Sequence, residues 1–399
     1  MSGRNAIYLD HQATTPCDRR VVDAMLPWLT QRPGNPHSAT HDAGRAAHRA
    51  LENARAAVAA LIGAQPEDIV FTSGATEATN IALRGLRTGR KSHVLTSAIE
   101  HSCVRDTLKD LKAAGTSVSE VPVDADGLLD PDEFAREITA KTAMATVMAA
   151  NNEMGTLQPI AAIGHLCREA GVVFHTDAAQ AAGKIPLDVS EMNIDLMSIS
   201  GHKMYGPQGV GALYCRADIF PLLKPLATGG GQERGLRPGT VPVALCVGLG
   251  EACAIALREM ESDRARSLRL RATLLDVLTD RLEQFQVNGS LDQRLPGNLN
   301  LWFEGVDAEV LLSRLPDVAM SMGSACSSAS IEPSHVLLAM GLTSEQAESS
   351  IRIGFGRGTT DEDVAGAAAQ LAEEVTRLRL SASSPNVARS GAAKRRVAL

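Results

Sequence analysis

The sequence predicts an α/β fold in which a mostly parallel sheet is flanked by helices. Short apolar runs of strand length alternate with amphipathic segments of helix length over the first half of the chain. This alternation is typical of parallel sheets whose strands are connected by helices. Several of the strands end in polar or glycine-rich segments, which is where such sheets gather their ligand-binding residues. The predicted strands are 68–71, 94–96, 118–123, 143–150, 172–175, 194–199 and 210–214.

The composition of the chain is that of an ordinary folded protein. It has 399 residues, of which 44% are hydrophobic and 21% charged, and its formal net charge is −7. A net negative chain has no general basic surface, so we expect no direct nucleic-acid binding. No apolar run reaches the ~20 residues of a membrane span, and the N-terminus lacks an apolar signal core. The seven scattered cysteines include no CxxC pair, so we expect free thiols and a cytoplasmic location.

The chain is long enough for more than one domain. An alanine-rich helical segment begins at Val243 and continues through Leu282, and the density of charged residues rises from Arg258. We therefore place a domain boundary just before Arg258. The predicted parts are a large domain at 15–257, a smaller α+β domain at 1–14 and 258–380, and a disordered basic tail at 381–399.

A lysine stands at the end of one predicted strand. The apolar run 194–199 leads into Ser200-Gly201-His202-Lys203, and a glycine-rich turn follows. Ser200 and His202 are suited to hold an anion such as a phosphate, and an aldehyde cofactor that binds a lysine carries one. The alternative is a solvated surface lysine. These neighbours are consistent with a cofactor lysine but do not by themselves exclude the alternative.

A second segment with phosphate-binding character connects the strand 68–71 to a predicted helix. This segment, 72–80, contains a glycine turn and ends where an apolar helical pattern begins. The free N–H groups and the dipole at a helix start both favour an anion. The alternative is simple N-capping by Ser73 or Thr76, with Glu77 in the first turn.

Polar residues also follow three further predicted strands. His101 comes shortly after one of them and is equally suited to face a cleft or to cap the next helix. Asn152 follows another. Asp177 follows a third, upstream of Lys203, and a carboxylate there can pair with a pyridinium nitrogen and keep it protonated. A helix-capping aspartate is the alternative.

Two residues of the C-terminal part have candidate functions. Cys326 lies in the Gly/Ser/Ala-rich stretch 321–330, where an exposed and movable thiol is easier to accommodate than a core residue. Arg352 alternates with apolar residues in the predicted strand 349–357, which indicates an anion as its partner. That anion is either a substrate carboxylate or a structural ion-pair partner.

Two other kinds of site are poorly supported. The glycine-rich segments 206–211 and 229–239 lack the spacing of a dinucleotide-binding loop. His37 and His41 are four residues apart, but the sequence offers no evident third ligand. We therefore expect no intrinsic metal site.

Taken together, these motifs resemble those of the cysteine desulfurases, pyridoxal-phosphate (PLP) enzymes of the class-V aminotransferase group. The resemblance extends over 8–357. The cysteine loop is similar to that of the NifS/IscS subgroup, whereas the Arg-x-Gly-His-His-Cys segment of the SufS-like subgroup does not occur in the sequence. The motifs that carry the resemblance are 72–77, 100–101, 151–153, Asp177 with Gln180, 200–203, 229–240 and 324–326.

The resemblance implies a fold type I PLP-dependent transferase that acts as a homodimer and converts L-cysteine to L-alanine. Lys203 would bind the cofactor covalently and later move the Cα proton, while His101 would stack on the ring and assist that transfer. Cys326 would attack the substrate sulfur and carry it as a persulfide. A sulfur-acceptor protein would then take that sulfur from Cys326. The loop that carries Cys326 has to move because this residue visits both the cofactor and the acceptor.

Further roles are implied for residues that match the family motifs. Asp177 would pair with the ring nitrogen, Gln180 would contact the ring hydroxyl, and Thr240 would reach the phosphate of the other subunit. Asn152 and Arg352 would bind the substrate carboxylate. The implied cofactor-binding residues are Ala75, Thr76, Asn152, Asp177, Gln180, Ser200, His202, Lys203 and Thr240.

The resemblance leaves the sulfur acceptor open. An iron–sulfur scaffold is one candidate, and Cys326 would then be a candidate transient iron–sulfur ligand. The segment after Arg379 does not resemble the C-terminus with which the housekeeping members dock that scaffold. Two alternatives to the desulfurase function are another class-V enzyme, such as an aminotransferase or a selenocysteine lyase, and a non-catalytic scaffold of the same fold.

Overall fold

The computed structural model describes residues 6–87, 89, 91–323 and 333–382. Cys326 lies outside the described residues, as does the predicted tail beyond residue 382. The strands are β1 (Ile7–Tyr8), β2 (Ile69–Thr72), β3 (His93–Ser97), β4 (Ser117–Val121), β5 (Thr142–Thr146), β6 (Val173–Asp177), β7 (Leu196–Ser200), β8 (Gly211–Cys215), β9 (Phe285–Val287), β10 (Asn298–Phe303), β11 (Val318–Ala319), β12 (Ser321–Met322) and β13 (Ser350–Gly354). The helices are α1 (Arg19–Thr30), α2 (Asp42–Leu61), α3 (Ala75–Gly85), α4 (Ser102–Ala113), α5 (Pro131–Glu137), α6 (Ile160–Ala170), α7 (Val243–Arg281), α8 (Ala308–Ser313), α9 (His335–Ala339), α10 (Ser344–Glu348) and α11 (Asp361–Ala382).

A seven-stranded sheet forms the centre of the fold, in the order β2-β8-β7-β6-β5-β3-β4. Strand β8 runs antiparallel to both of its neighbours, and the other pairs are parallel. The prediction of a mixed, mostly parallel sheet is therefore confirmed. Because β2 and β7 both oppose β8, the carboxyl ends of β2, β7, β6, β5 and β3 lie at one edge of the sheet.

Most strands of this sheet are buried on both faces because helices cover both faces. Every residue of β2, β3, β5, β7 and β8 is buried, as is usual for sheets packed between helix layers. One face packs on a core shared with α2 and α7, which includes Leu51 and Leu249. The other face packs on α3 and α4 through Ile81 and Val104.

A smaller antiparallel sheet, β12-β13-β10-β9, and the parallel pair β1-β11 form a second group of strands. They pack on a separate hydrophobic cluster with α8 and α11. Helix α7 contributes Cys246 and Cys253 to the first cluster and Leu270 and Leu274 to the second. Both cysteines are fully buried, which confirms their predicted packing role. The domain boundaries remain a prediction.

Two details differ from the sequence-based expectations. Strand β5 ends at Thr146, although an apolar run predicted strand through residue 150. Residues 147–150 are buried and their backbone still contacts β6, which explains their apolar character. Helix α11 continues to Ala382, two residues into the predicted tail. Among the described residues, no helix combines the length and the apolarity that crossing a membrane requires.

Candidate active site

A cavity of about 400 Å³ lies at the carboxyl edge of the central sheet. Segments that follow β2, β3, β5, β6 and β7 contribute its walls, together with the segment after β1 and a residue of β13. Ten of the predicted site residues line it: Ala75, Thr76, His101, Asn152, Asp177, Gln180, Ser200, His202, Lys203 and Arg352. The fold thus brings together residues that are up to 277 positions apart in the sequence.

Lys203 is held by the segment that follows β1. It ends a short 3-10 turn directly after β7, and its Nζ donates to the carbonyl oxygens of Gln12 and Ala13, each at 2.7 Å. Thr15 holds the same turn through its hydroxyl, which donates to the carbonyl of His202 at 2.9 Å. The lysine amine is therefore positioned inside the cavity by backbone acceptors, and the alternative of a solvated surface lysine is wrong.

His202 lies beside this lysine and is uncharged at neutral pH. Burial, followed by the nearby charges of Lys203 and Lys184, lowers the pKa of His202 to about 4. Its Nδ1 is 3.0 Å from the hydroxyl of Thr14. A neutral imidazole retains one N–H group, so His202 is suited to donate a hydrogen bond to an anion without adding charge.

Asp177 is the last residue of β6, and its carboxylate is buried at the cavity wall. Its Oδ1 accepts a hydrogen bond from the backbone N–H of Ala179 at 2.9 Å. The thiol of Cys103 donates to its Oδ2, with a sulfur–oxygen distance of 3.7 Å. Burial, followed by the charge of Asp177, raises the pKa of Cys103 well above its ordinary value. The thiol therefore stays protonated and serves as a donor rather than as a nucleophile.

His101 both caps a helix and faces the cavity. It is the N-cap residue of α4, and its Nδ1 accepts the backbone N–H of Cys103 at 3.2 Å. The two interpretations of this histidine are thus both correct. Ligand atoms of His101, Cys103 and Asp177 lie within 4.8 Å of one another, the single such group among the described residues that could hold a metal.

The segment between β2 and α3 forms the predicted cradle for an anion. Gly74 has a φ of 153°, a conformation that favours glycine, and α3 begins after it without a side-chain cap. The alternative of N-capping by Ser73 or Thr76 is therefore wrong. Instead, the Glu77 carboxylate accepts the backbone N–H of Ser73 and receives a hydrogen bond from Arg237 at 3.1 Å.

Arg352 lies at the cavity with an ion-pair partner of its own. Its Nη2 is 2.8 Å from Oδ1 of Asp10, and its Nη1 donates to the carbonyl of Asn152 at 3.0 Å. The structural ion pair considered for this arginine is thus present. Its Nε is buried and has no hydrogen-bond partner within the described part of the chain. The role of Arg352 toward a substrate stays a prediction.

One predicted site residue among the described ones does not line the cavity. Thr240 is exposed and does not line it, so its predicted contact with a second subunit remains a prediction. Cys326 lies outside the described residues. The roles assigned to the other ten residues are likewise predictions, although the fold places them together.

Several residues of the cavity were not predicted. Gln12 and Ala13 act through their backbone carbonyls, which leave no trace in a side-chain motif. Asp10, which holds the cavity residue Arg352 but does not itself line the cavity, was also missed, because Arg352 is remote in sequence. Cys103 could have been found, because it stands in the first turn of the helix that His101 caps, next to a predicted site residue.

A family model described as aminotransferase class-V matches residues 7–366 of this chain. The chain belongs to this family. Its fold is also that of a solved NifS-like protein, with a TM-score of 0.87 and 34% identity over 93% of this chain and all of that one. The prediction of a fold type I transferase is therefore confirmed.

Relatives within the family show which of its members this chain resembles. The cysteine desulfurase IscS of Rickettsia bellii is 48% identical over 94% of this chain and 92% of its own length. A solved structure described as SspA in complex with cysteine is 38% identical, covers 88% of this chain and 99% of its own, and has a TM-score of 0.78. The resemblance to cysteine desulfurases that the motifs predicted is confirmed.

Membership of the family implies PLP as the cofactor, and the observed residues fit it. An amine for its aldehyde is present in Lys203, and a buried carboxylate for its ring nitrogen in Asp177. The glycine turn at Gly74 opens a helix start to the cavity, which suits a phosphate. A cavity of about 400 Å³ also falls within the size range of small-molecule sites.

Proposed function

We propose that this chain is a PLP-dependent L-cysteine desulfurase that produces L-alanine and a persulfide on Cys326. The observation that carries the proposal is the convergence of Lys203, Asp177 and His101 on one cavity at the carboxyl edge of the sheet. The high identity to proteins named cysteine desulfurase favours this reaction over the other class-V chemistries and over a non-catalytic scaffold.

In this proposal the cofactor supplies an aldehyde that captures amines and a protonated ring that withdraws electrons from the substrate Cα. Asp177 holds the proton of the ring nitrogen, and Cys103 and the N–H of Ala179 hold that carboxylate in place. The Nζ of Lys203 would move the Cα proton, and the carbonyls of Gln12 and Ala13 would hold this amine at the cavity whenever it is not bound to the cofactor.

The cofactor phosphate and the substrate carboxylate are bound by different residues. The start of α3, with Thr76 and the backbone of Ala75, holds the phosphate, together with Ser200 and His202. Arg352, fixed by Asp10, binds the substrate carboxylate together with Asn152.

Sulfur transfer takes place at the substrate sulfur atom. The Cys326 thiolate attacks it, an S–S bond forms and the Cβ–S bond breaks. The electron pair of the broken bond stays with the carbon fragment, which takes up protons and leaves as alanine. An acceptor thiol then removes the terminal sulfur of the persulfide.

Three further features belong to the proposal. The enzyme acts as a homodimer in which the exposed Thr240 reaches the phosphate of the second subunit. Its sulfur goes to an acceptor protein, for which an iron–sulfur scaffold is one candidate. The absence of a paired-cysteine pattern in the sequence supports a cytoplasmic location.

Two substitutions test the function. Cys326→Ala should abolish sulfide release from L-cysteine and keep the visible absorption of the bound cofactor, whereas Lys203→Ala should lose the absorption band that borohydride reduces. The matched controls are Cys17→Ala, an exposed thiol, and Lys224→Ala, an exposed amine. Sulfide release by Cys326→Ala at the rate of the unchanged enzyme would refute the persulfide step. A purified protein without any borohydride-reducible chromophore would refute the cofactor.

A further inference from the structure

A second lysine lies next to the proposed cofactor site and has no part in the function proposed above. Lys184 lies four residues after Gln180, in the turns that follow β6. It lines a small neighbouring cavity of about 40 Å³, to which His11 and Gln12 also contribute. Its Nζ donates to Oε1 of Gln180 at 3.0 Å.

This contact fixes the orientation of the Gln180 amide. Lysine nitrogen donates through its N–H groups, so the amide oxygen of Gln180 has to face Lys184. The amide nitrogen therefore faces the other way and donates one N–H to the carbonyl of Gln12 at 2.9 Å. Because that nitrogen carries two N–H groups and Gln180 lines the larger cavity, a donor remains for a ligand there.

We propose that Lys184 is a positioning residue that commits Gln180 to the role of hydrogen-bond donor, and thereby selects a ligand whose ring carries an anionic oxygen. This inference rests on the proposed function, since the ring hydroxyl of PLP, in its ionised form, is such an oxygen. Without Lys184, only the carbonyl of Gln12 among the described residues still orients the amide, so the amide oxygen turns toward the larger cavity more often, where it would repel an anionic oxygen of the ligand.

The charges around Lys184 support the same assignment. Burial, together with the charges of Lys203 and Arg352, lowers the pKa of Lys184 to about 7. Three basic groups thus surround this end of the site, and an anionic oxygen relieves their mutual repulsion. The neutral amine keeps two N–H groups with which it can donate to Gln180, and the carbonyl of Gln12 holds the amide nitrogen in either protonation state.

The test compares PLP with an analogue in which hydrogen replaces the ring hydroxyl. Both compounds are titrated into cofactor-free enzyme, and binding is followed by absorbance and protein fluorescence. Lys184→Met should weaken PLP binding about tenfold or more and change analogue binding less than about threefold. Gln180→Leu should give the same pattern, and the double variant should be no weaker than either single variant, because the two residues act as a unit.

Control variants keep the test decisive. Lys141→Met removes an exposed lysine and should leave both affinities unchanged, whereas Lys184→Arg should restore part of the preference for PLP. Equal weakening of both compounds by Lys184→Met, or no weakening of either, would overturn the inference. If Lys184→Met does not fold, Gln180→Leu and Lys184→Arg still test the inference through the ratio of their affinities for PLP and for the analogue. An unchanged enzyme that binds neither compound would overturn the proposed function, and this inference with it.

Discussion

Arg352, which lines the cavity, and Asp10, which lies behind it, form a largely buried ion pair with 2.8 Å between Nη2 and Oδ1. The arginine belongs to β13 and the aspartate follows β1, so the pair ties the N-terminal segment to the smaller sheet. The second carboxylate oxygen of Asp10 accepts the hydroxyl of Ser321 at 2.7 Å. Asp10 is therefore fully engaged in orienting the guanidinium that faces the cavity.

Replacing Asp10 with Asn should lower the free energy of unfolding by about 3 kcal/mol, because it leaves the charge of Arg352 buried without its counter-charge. The side chain of Arg352 is only 2% exposed, so water cannot replace the lost partner. Urea unfolding at pH 7 measures the effect. The control is Asp106→Asn, whose pair with Lys109 is about 70% exposed on both sides and should change stability by less than about 0.5 kcal/mol. Equal losses in the two variants would contradict the prediction.

Glu100 should make stability depend on pH. Burial raises the pKa of this fully buried carboxyl group to about 8, although hydrogen bonds from Ser97 and from the backbone of Met148 act to lower it. Between about pH 4.5 and 8 the folded state keeps a proton that the unfolded state releases, so stability falls as the pH rises through this window. In Glu100→Gln, the loss of unfolding free energy between pH 5 and pH 8 should be smaller by about 1 kcal/mol or more. Urea unfolding curves at the two pH values measure it.

The matched control for this prediction is Glu120→Gln, because Glu120 is exposed. It should leave the slope of stability against pH as it is in the unchanged protein. A Glu100→Gln variant with the same slope as the control would show that Glu100 is already ionised in the folded state at pH 5.

Gly211 should not tolerate a side chain. A methyl group there would overlap the carbonyl oxygen of Ile199 and lie 2.6 Å from the Cα of Gly74. Because Gly74 opens the cradle at the start of α3, Gly211→Ala should reduce the cofactor content of the purified protein. It should also lower the free energy of unfolding by about 2 kcal/mol or more. Gly358→Ala, where nothing lies within 4 Å of the added carbon, is the control. Normal cofactor absorbance in purified Gly211→Ala would count against this coupling.

Arg55 should stabilise the loop that leads to Thr240. It donates two hydrogen bonds to Glu233, at 2.8 and 2.9 Å, and Glu233 also accepts the backbone N–H of Phe71 at 2.7 Å. Glu233 and the next residue both have positive φ, so these contacts hold a strained turn. Arg55→Met should cost about 3–5 kcal/mol in unfolding free energy, because it leaves a carboxylate buried without its counter-charge.

Adding Glu233→Gln to Arg55→Met should recover part of that loss, since the uncompensated charge disappears. Arg45→Met is the control, because its partner Asp42 is almost fully exposed. A double variant less stable than Arg55→Met alone would indicate that the charge of Glu233 is not the source of the loss.

Local patterns predicted the sheet and most of the cavity, because the carboxyl ends of parallel strands meet at one edge. Asp177 and Lys203 could be placed there from the strands that precede them. Contacts between distant segments could not be predicted in this way. The carbonyls that hold Lys203 belong to residues 190 and 191 positions away, and backbone atoms have no sequence signature.

Ambiguities in the sequence had a physical origin as well. A histidine after a strand can cap a helix or face a cavity, and His101 does both because the helix start lies at the cavity wall. For Arg352, the sequence indicated an anionic partner but not which one. Only the fold brings Asp10 to it, from the other end of the chain.

Helix α7 has 39 residues and is therefore about 60 Å long. Its first half forms part of the core under the central sheet, and its second half part of the core under the smaller one. Unfolding of either core would unfold part of α7 and so remove apolar contacts from the other core. We therefore expect calorimetry to show one heat-absorption peak, and a cavity introduced at Leu249 or at Leu274 to shift that same peak to a lower temperature.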